Sequence, residues 1–188
     1  WTPLVICSLS LASFLVASGV MALVALFVVH GKLTPEMLRD PDALKVVSES
    51  RVGLFIVVVL PQLALVVPCI LAAGLSSVPT RQRLGLVRGH WPLWAWVAAA
   101  AATPLVGMVS GLVVGLFLEE SDTLKQMTQI FREHGQGGFL IPLAFMIGAT
   151  PAFCEELLFR GYVQTRFTRS FGPLVGITVA SVLFAAFH

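Results

Sequence analysis

The chain has 188 residues, of which 57% are hydrophobic and only 12% are charged. Average soluble domains carry about twice that share of charged residues, so the composition argues against a water-soluble fold and for a protein that crosses a membrane several times. The net charge of +2 is small and the basic residues are spread among the loops, which argues against a nucleic-acid-binding protein.

Two uncharged apolar runs, residues 3–29 and 52–75, dominate the first part of the chain. Each is longer than the about 20 residues that cross a hydrocarbon core, so both predict membrane-spanning helices. The first run is also too long for the core of a signal peptide. Pro61 and Pro68 should kink the second helix, because proline removes a backbone donor and its ring crowds the preceding turn.

Polar residues 30–51 connect these two runs. Thr34-Pro35-Glu36 and Asp40-Pro41-Asp42 both have the form of a capping residue followed by proline at the first helical position. The sequence therefore predicts two short surface helices between the first and second spans.

The middle of the chain combines a basic loop, a third apolar run and an amphipathic segment. Residues 76–90 contain three arginines and no acid, a composition typical of a cytoplasmic loop. Residues 91–118 begin with three tryptophans and continue as a third predicted span. Residues 119–137 place apolar side chains on one helical face, so we expect a short helix lying in the membrane interface.

From residue 138 onward, two further apolar stretches predict the fourth and fifth spans. Small residues recur at every fourth position along both and so occupy one helical face, which favours close helix packing. In the fourth span this face continues into Glu156 and Arg160, and in the fifth it continues into Phe184 and His188. We therefore expect Glu156 and Arg160 to be buried between helices rather than to face lipid.

The three cysteines, Cys7, Cys69 and Cys154, all lie within apolar runs. There they are expected to be small core residues rather than disulfide partners. Neither C-x-x-C nor H-E-x-x-H occurs, so the sequence contains no zinc signature of that spacing.

Three ionisable side chains, Glu155, Glu156 and Arg160, interrupt the fourth span. A charged side chain near a bilayer centre costs about 2.5–3.5 kcal/mol on insertion scales, and such residues usually mark function. Glu156 and Arg160 are four residues apart, so they share a helical face and can form an ion pair. Glu155 points about 100° away from Glu156, so we expect the ion pair not to hold it. The alternative is a plain helix end in the headgroup region, where basic residues follow.

These residue types allow three kinds of chemistry. Glu155 can act as a general base that takes a proton from water, with His188 as its partner and the Glu156–Arg160 pair bracing the site. Glu155 and His188 can instead ligate a divalent metal such as zinc, with further ligands elsewhere. In a third route Cys154 is the nucleophile and His188 its base, although the adjacent acids oppose formation of a thiolate.

Two motifs in this region resemble those of a known family. Glu155-Glu156-x-x-x-Arg160 followed by Phe184-x-x-x-His188 is similar to the first two motifs of the CAAX protease and bacteriocin-processing family, also called Abi, which includes the type II CAAX prenyl endopeptidases. Leu84-Gly85-Leu86 before a tryptophan-rich span also resembles that family. The resemblance is specific over residues 153–188 and general in hydropathy before them.

The resemblance implies an intramembrane endopeptidase of the glutamate or metal-dependent kind. In that case Glu155 activates water with help from His188, Glu156 and Arg160 support the site, and Phe184 packs beside the histidine. The implied substrates are prenylated C-terminal peptides or related membrane peptides, and the implied surroundings are membrane lipids. Neither a cofactor beyond that metal nor an oligomeric state is specified.

The sequence as a whole predicts an all-α, polytopic transmembrane bundle of about five spans with a short interfacial amphipathic helix. Residues 1–188 are expected to form one integral membrane domain that continues beyond its C-terminal end, with the family-like core at about 91–188. The family's third motif, a histidine followed four residues later by Asn or Asp, is expected beyond His188. We expect the cell membrane as the location, with the site toward the cytoplasmic side.

Two non-proteolytic hypotheses compete with the peptidase hypothesis. The first is a bacteriocin-immunity or scaffold membrane protein that keeps the same bundle without turnover. The second is a proton-coupled transporter that uses Glu155 and His188 as a relay, which would call for inverted repeats that the sequence does not display.

Overall fold

A computed structural model describes residues 2–87, 90–119 and 121–187, which form helices joined by turns and contain no strand. The all-α prediction is therefore confirmed. The helices, in chain order, are α1 (Thr2–His30), α2 (Pro41–Glu49), α3 (Arg51–Gly74), α4 (Thr80–Arg83), α5 (Leu93–Gly115), α6 (Asp122–His134), α7 (Leu140–Phe171) and α8 (Pro173–Phe187), with a π-helical turn, Gly135–Phe139, between α6 and α7.

Four of the described helices, α1, α3, α5 and α7, are long and apolar enough to cross a membrane. The fifth predicted span corresponds to α8, which is apolar but has only 15 residues. The predicted amphipathic helix corresponds to α6, whose 13 residues lie between α5 and α7. These helices agree with the predicted polytopic membrane protein.

The described residues divide into two compact units. One contains the residues up to Val87 and those from Glu133 onward, and the other contains the residues between them. The first unit holds α1 to α4, α7 and α8, and all of the residues discussed below as a site belong to it. The predicted single domain and its family-like core at 91–188 stay predictions.

The core of the first unit is built from α1, α3 and α7. Apolar side chains of all three helices are fully or almost fully buried against one another, and Leu84 of the loop after α4 joins them. Its largest members are Phe159 and Tyr162, which are 2% and 0% exposed. Cys7, Cys69 and Cys154 are free thiols in this core, as the sequence predicts.

One of the two predicted surface helices forms. Asp40 caps α2 by accepting a hydrogen bond from the Asp42 amide at 3.0 Å, with Pro41 at the first helical position. The helix predicted to start at Thr34 is wrong, since residues 34–39 form successive turns in which the Met37 amide donates to the Thr34 carbonyl at 3.1 Å. The extended backbone of Asp40 ends this stretch before enough residues are available to nucleate a helix.

α7 is continuous, but its hydrogen bonding alternates between α-helical and π-helical turns. Phe145–Ala149 and Glu156–Gln164 are π-helical. In a π turn the amide bonds five residues back, and the hydroxyl of Thr165 follows that spacing by donating to the Arg160 carbonyl at 3.1 Å. The second π segment begins at the Glu156 of the sequence motif, and π turns occur often at functional sites.

Candidate active site

A sharp turn at Gly172 places α8 against the end of α7. Gly172 has a φ of +88°, a left-handed conformation that glycine adopts without strain, and Pro173 then opens α8. Gly176 on α8 is buried so closely against α7 that an added Cβ would lie 2.6 Å from the Thr168 amide nitrogen. The small-residue face predicted for the fifth span is therefore the face that contacts the fourth.

Between α7 and α8 lies an open cleft of about 260 Å³ that contains the predicted motif residues. Glu155, Glu156 and Arg160 line it from α7, and Phe184 lines it from α8. The face of α7 and the face of α8 on which small residues recur at every fourth position thus meet at the cleft. The remaining lining residues are Ala152, Phe159, Gln164, Ala180 and Ser181.

The predicted ion pair forms, but it is not buried. Arg160 Nη1 lies 2.8 Å from Glu156 Oε1, while the two side chains are 73% and 51% exposed. The expectation that packing between helices would bury them is wrong. The cleft is open around the pair, and the side chains that α8 adds to its lining include two small ones, Ala180 and Ser181.

Glu155 lies one residue before the ion pair and occupies the wall of the same cleft. Its side chain is half-buried and takes part in a further interaction. Glu155 therefore shares the cleft with a guanidinium that is bound to the neighbouring carboxylate. Two acids that differ in their surroundings thus lie side by side on the cleft wall.

Aromatic rings form the apolar wall of the cleft. Phe159 is buried and makes an edge-to-face contact with Phe184, with ring centroids 5.3 Å apart. Phe187 lies on the other side, 5.9 Å from Phe159 and 5.5 Å from Phe14 of α1. Phe159 therefore anchors α8 to the core through two rings and makes one side of the cleft water-repellent.

His188 lies outside the described residues, so its position beside Glu155 and beside Phe184 stays a prediction. The same holds for the predicted metal, because Glu155 is the one predicted ligand within the described ranges. In those ranges no three His, Cys, Asp or Glu side chains cluster as metal ligands would.

Cys154 does not line the cleft. Its thiol is 1% exposed in the core on the side of α7 that faces α3. This burial disfavours the nucleophilic role that the sequence left open for it, since a reactive thiol has to be reached by substrate.

Two polar cleft residues were missed in the sequence. Gln164 follows Arg160 by four positions, so extending the face of Glu156 and Arg160 by one step would have identified it. Ser181 adjoins Ala180 of the α8 face, but its sequence position alone does not distinguish it from other serines in apolar runs.

Residues 137–188 match the family described as type II CAAX prenyl endopeptidase Rce1-like. No curated protein and no solved structure matches the chain. The matched segment contains α7, α8 and every residue that lines the cleft. The resemblance predicted from the two motifs is thereby confirmed, and the match over this segment supports a CAAX protease family assignment.

Proposed function

We propose that the protein is an intramembrane endopeptidase that hydrolyses a peptide bond of a prenylated or similarly membrane-anchored peptide. The observation that carries this proposal is the convergence of Glu155, Glu156 and Arg160 on one cleft, within the segment that matches the CAAX endopeptidase family. A cleft of this kind is open to a substrate on one side and apolar on the other, as a lipid-modified peptide requires.

In the proposed reaction Glu155 takes a proton from a water molecule, and the oxygen of that water attacks the carbonyl carbon of the scissile bond. The proton passes to the leaving amine as the carbon–nitrogen bond breaks. His188 is proposed to donate a hydrogen bond to the oxyanion that forms on the carbonyl oxygen. A carboxylate with limited access to bulk water is a suitable base for this step.

The Glu156–Arg160 pair is proposed to keep the second acid from competing with Glu155. At 2.8 Å the guanidinium stabilises the charged form of Glu156, which opposes proton transfer to this second acid. The pair lies within the π-helical segment that starts directly after Glu155.

The site is proposed to face the cytoplasmic side of the cell membrane. Arg81 and Arg83 on α4 and Arg166 and Arg169 near the end of α7 supply positive charge at one end of the helices, as the positive-inside rule expects. The contact between the Arg169 side chain and the Gln82 carbonyl, 3.4 Å, joins these two segments.

The test is cleavage of an internally quenched farnesylated peptide by the protein reconstituted in vesicles, with the cleaved bond identified by mass spectrometry. We expect cleavage by the wild type and by Glu36→Gln, an exposed acid in the turn before α2. We expect none by Glu155→Ala or His188→Ala. Hydrolysis by both alanine variants at the wild-type rate would overturn the assignment of these two residues, and absence of cleavage by the wild type would favour the non-catalytic scaffold.

A further inference from the structure

The cleft continues past the ion pair to two polar side chains that have no assigned role. Gln164 lies on α7, one helical step beyond Arg160, and Ser181 lies on α8. Within the described part of the chain neither side chain forms a hydrogen bond. Their polar groups are therefore available to a molecule that enters the cleft.

A peptide substrate has a specific need for such groups. Entry into an apolar cleft removes water from its backbone N–H and C=O groups, and an unpaired peptide group is unfavourable there. The side-chain amide of glutamine offers both a donor and an acceptor, so it can pair with a peptide group in the way another backbone would. The serine hydroxyl can likewise donate and accept.

The position of Gln164 along α7 predicts which residue of a bound peptide lies beside it. It follows Glu155 by nine residues, which corresponds to at most about 13 Å along α7, because the π-helical turns of Glu156–Gln164 advance less per residue than α-helical turns do. An extended peptide covers about 3.3–3.6 Å per residue, so a chain lying along α7 from Glu155 reaches Gln164 after about four residues.

We propose that Gln164 and Ser181 form a subsite that hydrogen-bonds the substrate backbone about four residues from the scissile bond. The subsite recognises an extended peptide backbone and not a particular side chain. This inference rests on the proposed peptidase function, because it assigns the place where the same substrate is held. Gln164 and Ser181 are positioning residues, since the bond is broken at Glu155.

The test is a scan of farnesylated peptides in which one backbone amide at a time is replaced by an ester. An ester removes the N–H donor and weakens the carbonyl acceptor while keeping the shape of the chain. For the wild type we expect one position, about four residues from the cleaved bond, at which the ester lowers kcat/KM about tenfold, the loss expected for one hydrogen bond.

Gln164→Ala should lower kcat/KM about tenfold on the all-amide peptide. For this variant, replacing the amide by the ester at that one position should lower kcat/KM no further. Ser181→Ala should show a smaller loss at the same or the adjacent position. Gln82→Ala removes the same side chain from an exposed site on α4 and should behave as the wild type. Gln164→Leu, which is close in size but has neither donor nor acceptor, gives the same comparison should Gln164→Ala fail to fold.

The inference is overturned if no ester position is coupled to residue 164, or if Gln164→Ala is as active as Gln82→Ala. A structural defect would slow every peptide in the scan equally, and this outcome also contradicts the inference. The same assay separates the two proposals, because absence of cleavage by the wild type would contradict the peptidase function, whereas cleavage without coupling to residue 164 would contradict the subsite alone.

Discussion

At the scale of single residues, the ion pair between Glu156 and Arg160 distinguishes the two neighbouring acids. One carboxylate is held 2.8 Å from a guanidinium, and the other lies half-buried on the cleft wall. Because both members of the pair are more than half exposed, their attraction contributes at most about 1 kcal/mol to folding. We therefore expect the ion pair to affect the cleavage rate more than the free energy of unfolding.

We expect Glu156→Gln and Arg160→Gln each to lower the cleavage rate by about tenfold, or about 1.4 kcal/mol in the barrier. The double variant should be no slower than either single variant, because all three lose the same pair. The free energy of unfolding should fall by less than about 1 kcal/mol in each case. Cleavage kinetics and thermal unfolding in detergent provide the measurements. Additive losses in rate would show that the two residues act separately.

A second prediction concerns Gly161, directly after Arg160. An added Cβ there would lie 2.5 Å from the Leu84 carbonyl oxygen, so Gly161→Ala must displace backbone and should destabilise the protein by about 1–3 kcal/mol. Gly148→Ala is the matched control on the same helix, since nothing lies within 4 Å of its added Cβ, and it should stabilise by about 0.5–1 kcal/mol. Equal melting temperatures for the two variants would contradict this packing.

Residue spacing predicted the ion pair but not its exposure. Four-residue separation fixes which side chains share a helical face, and this alone places Arg160 next to Glu156. How far the neighbouring helix covers that face depends on the side chains it offers there, and α8 offers small ones, Ala180 and Ser181. The exposure of the pair therefore depends on packing between helices, which residue spacing within one helix cannot predict.

At the scale of elements, α7 is the helix that defines the site, and its π turns set the directions of its side chains. A π turn inserts residues relative to α-helical spacing, so it rotates the later part of the helix about the helix axis. The hydroxyls of Thr150 and Thr165 accompany the two π segments by donating to carbonyls five residues back, at 2.9 and 3.1 Å. These bonds satisfy carbonyl groups in a stretch of irregular hydrogen bonding.

We expect Thr165→Val to lower the free energy of unfolding by about 1 kcal/mol and to slow cleavage, because it leaves the Arg160 carbonyl without that donor. Thr178→Val on α8 is the control, since in the described part of the chain its hydroxyl has no hydrogen bond. Thermal unfolding and cleavage of both variants provide the comparison. An effect of Thr178→Val as large as that of Thr165→Val would contradict the role of the π turn.

Helix boundaries could be predicted well where length and apolarity decided them. The predicted spans 3–29 and 52–75 agree with α1 and α3 to within one residue at each end. The surface helix after Thr34 could not be predicted reliably, because a capping residue and a proline start a turn as readily as a helix. The π turns have no signal in the apolar pattern, which predicts a plain α-helix there.

At the scale of the whole molecule, a strongly apolar composition predicted an integral membrane protein, and four long apolar helices agree. The family came from two short motifs, Glu155-Glu156-x-x-x-Arg160 and Phe184-x-x-x-His188, because charged side chains within apolar runs are distinctive whereas the apolar runs themselves are not. The cleft itself needed the three-dimensional fold, since it forms where the turn at Gly172 folds α8 back against α7.

The proposed orientation predicts which loop a membrane-impermeant reagent reaches from each side of the membrane. A cysteine replacing Ser77, in the loop after α3, should react with a membrane-impermeant maleimide from the cytoplasmic side, and one replacing Lys32, after α1, should react from the outside. The native cysteines are at most 3% exposed and should give little background. Intact cells and inverted vesicles provide the two directions. Labelling in the reverse pattern would place the site on the opposite side.

The proposed mechanism depends most on Glu155 acting as the base that activates water. Glu155→Gln keeps the size and hydrogen-bonding capacity of this side chain but removes its ability to take a proton. Single-turnover cleavage and peptide binding, measured with the protein in vesicles, should show a cleavage rate at least about 100-fold lower with an unchanged Kd for the farnesylated peptide. A cleavage rate close to that of the wild type would contradict the mechanism.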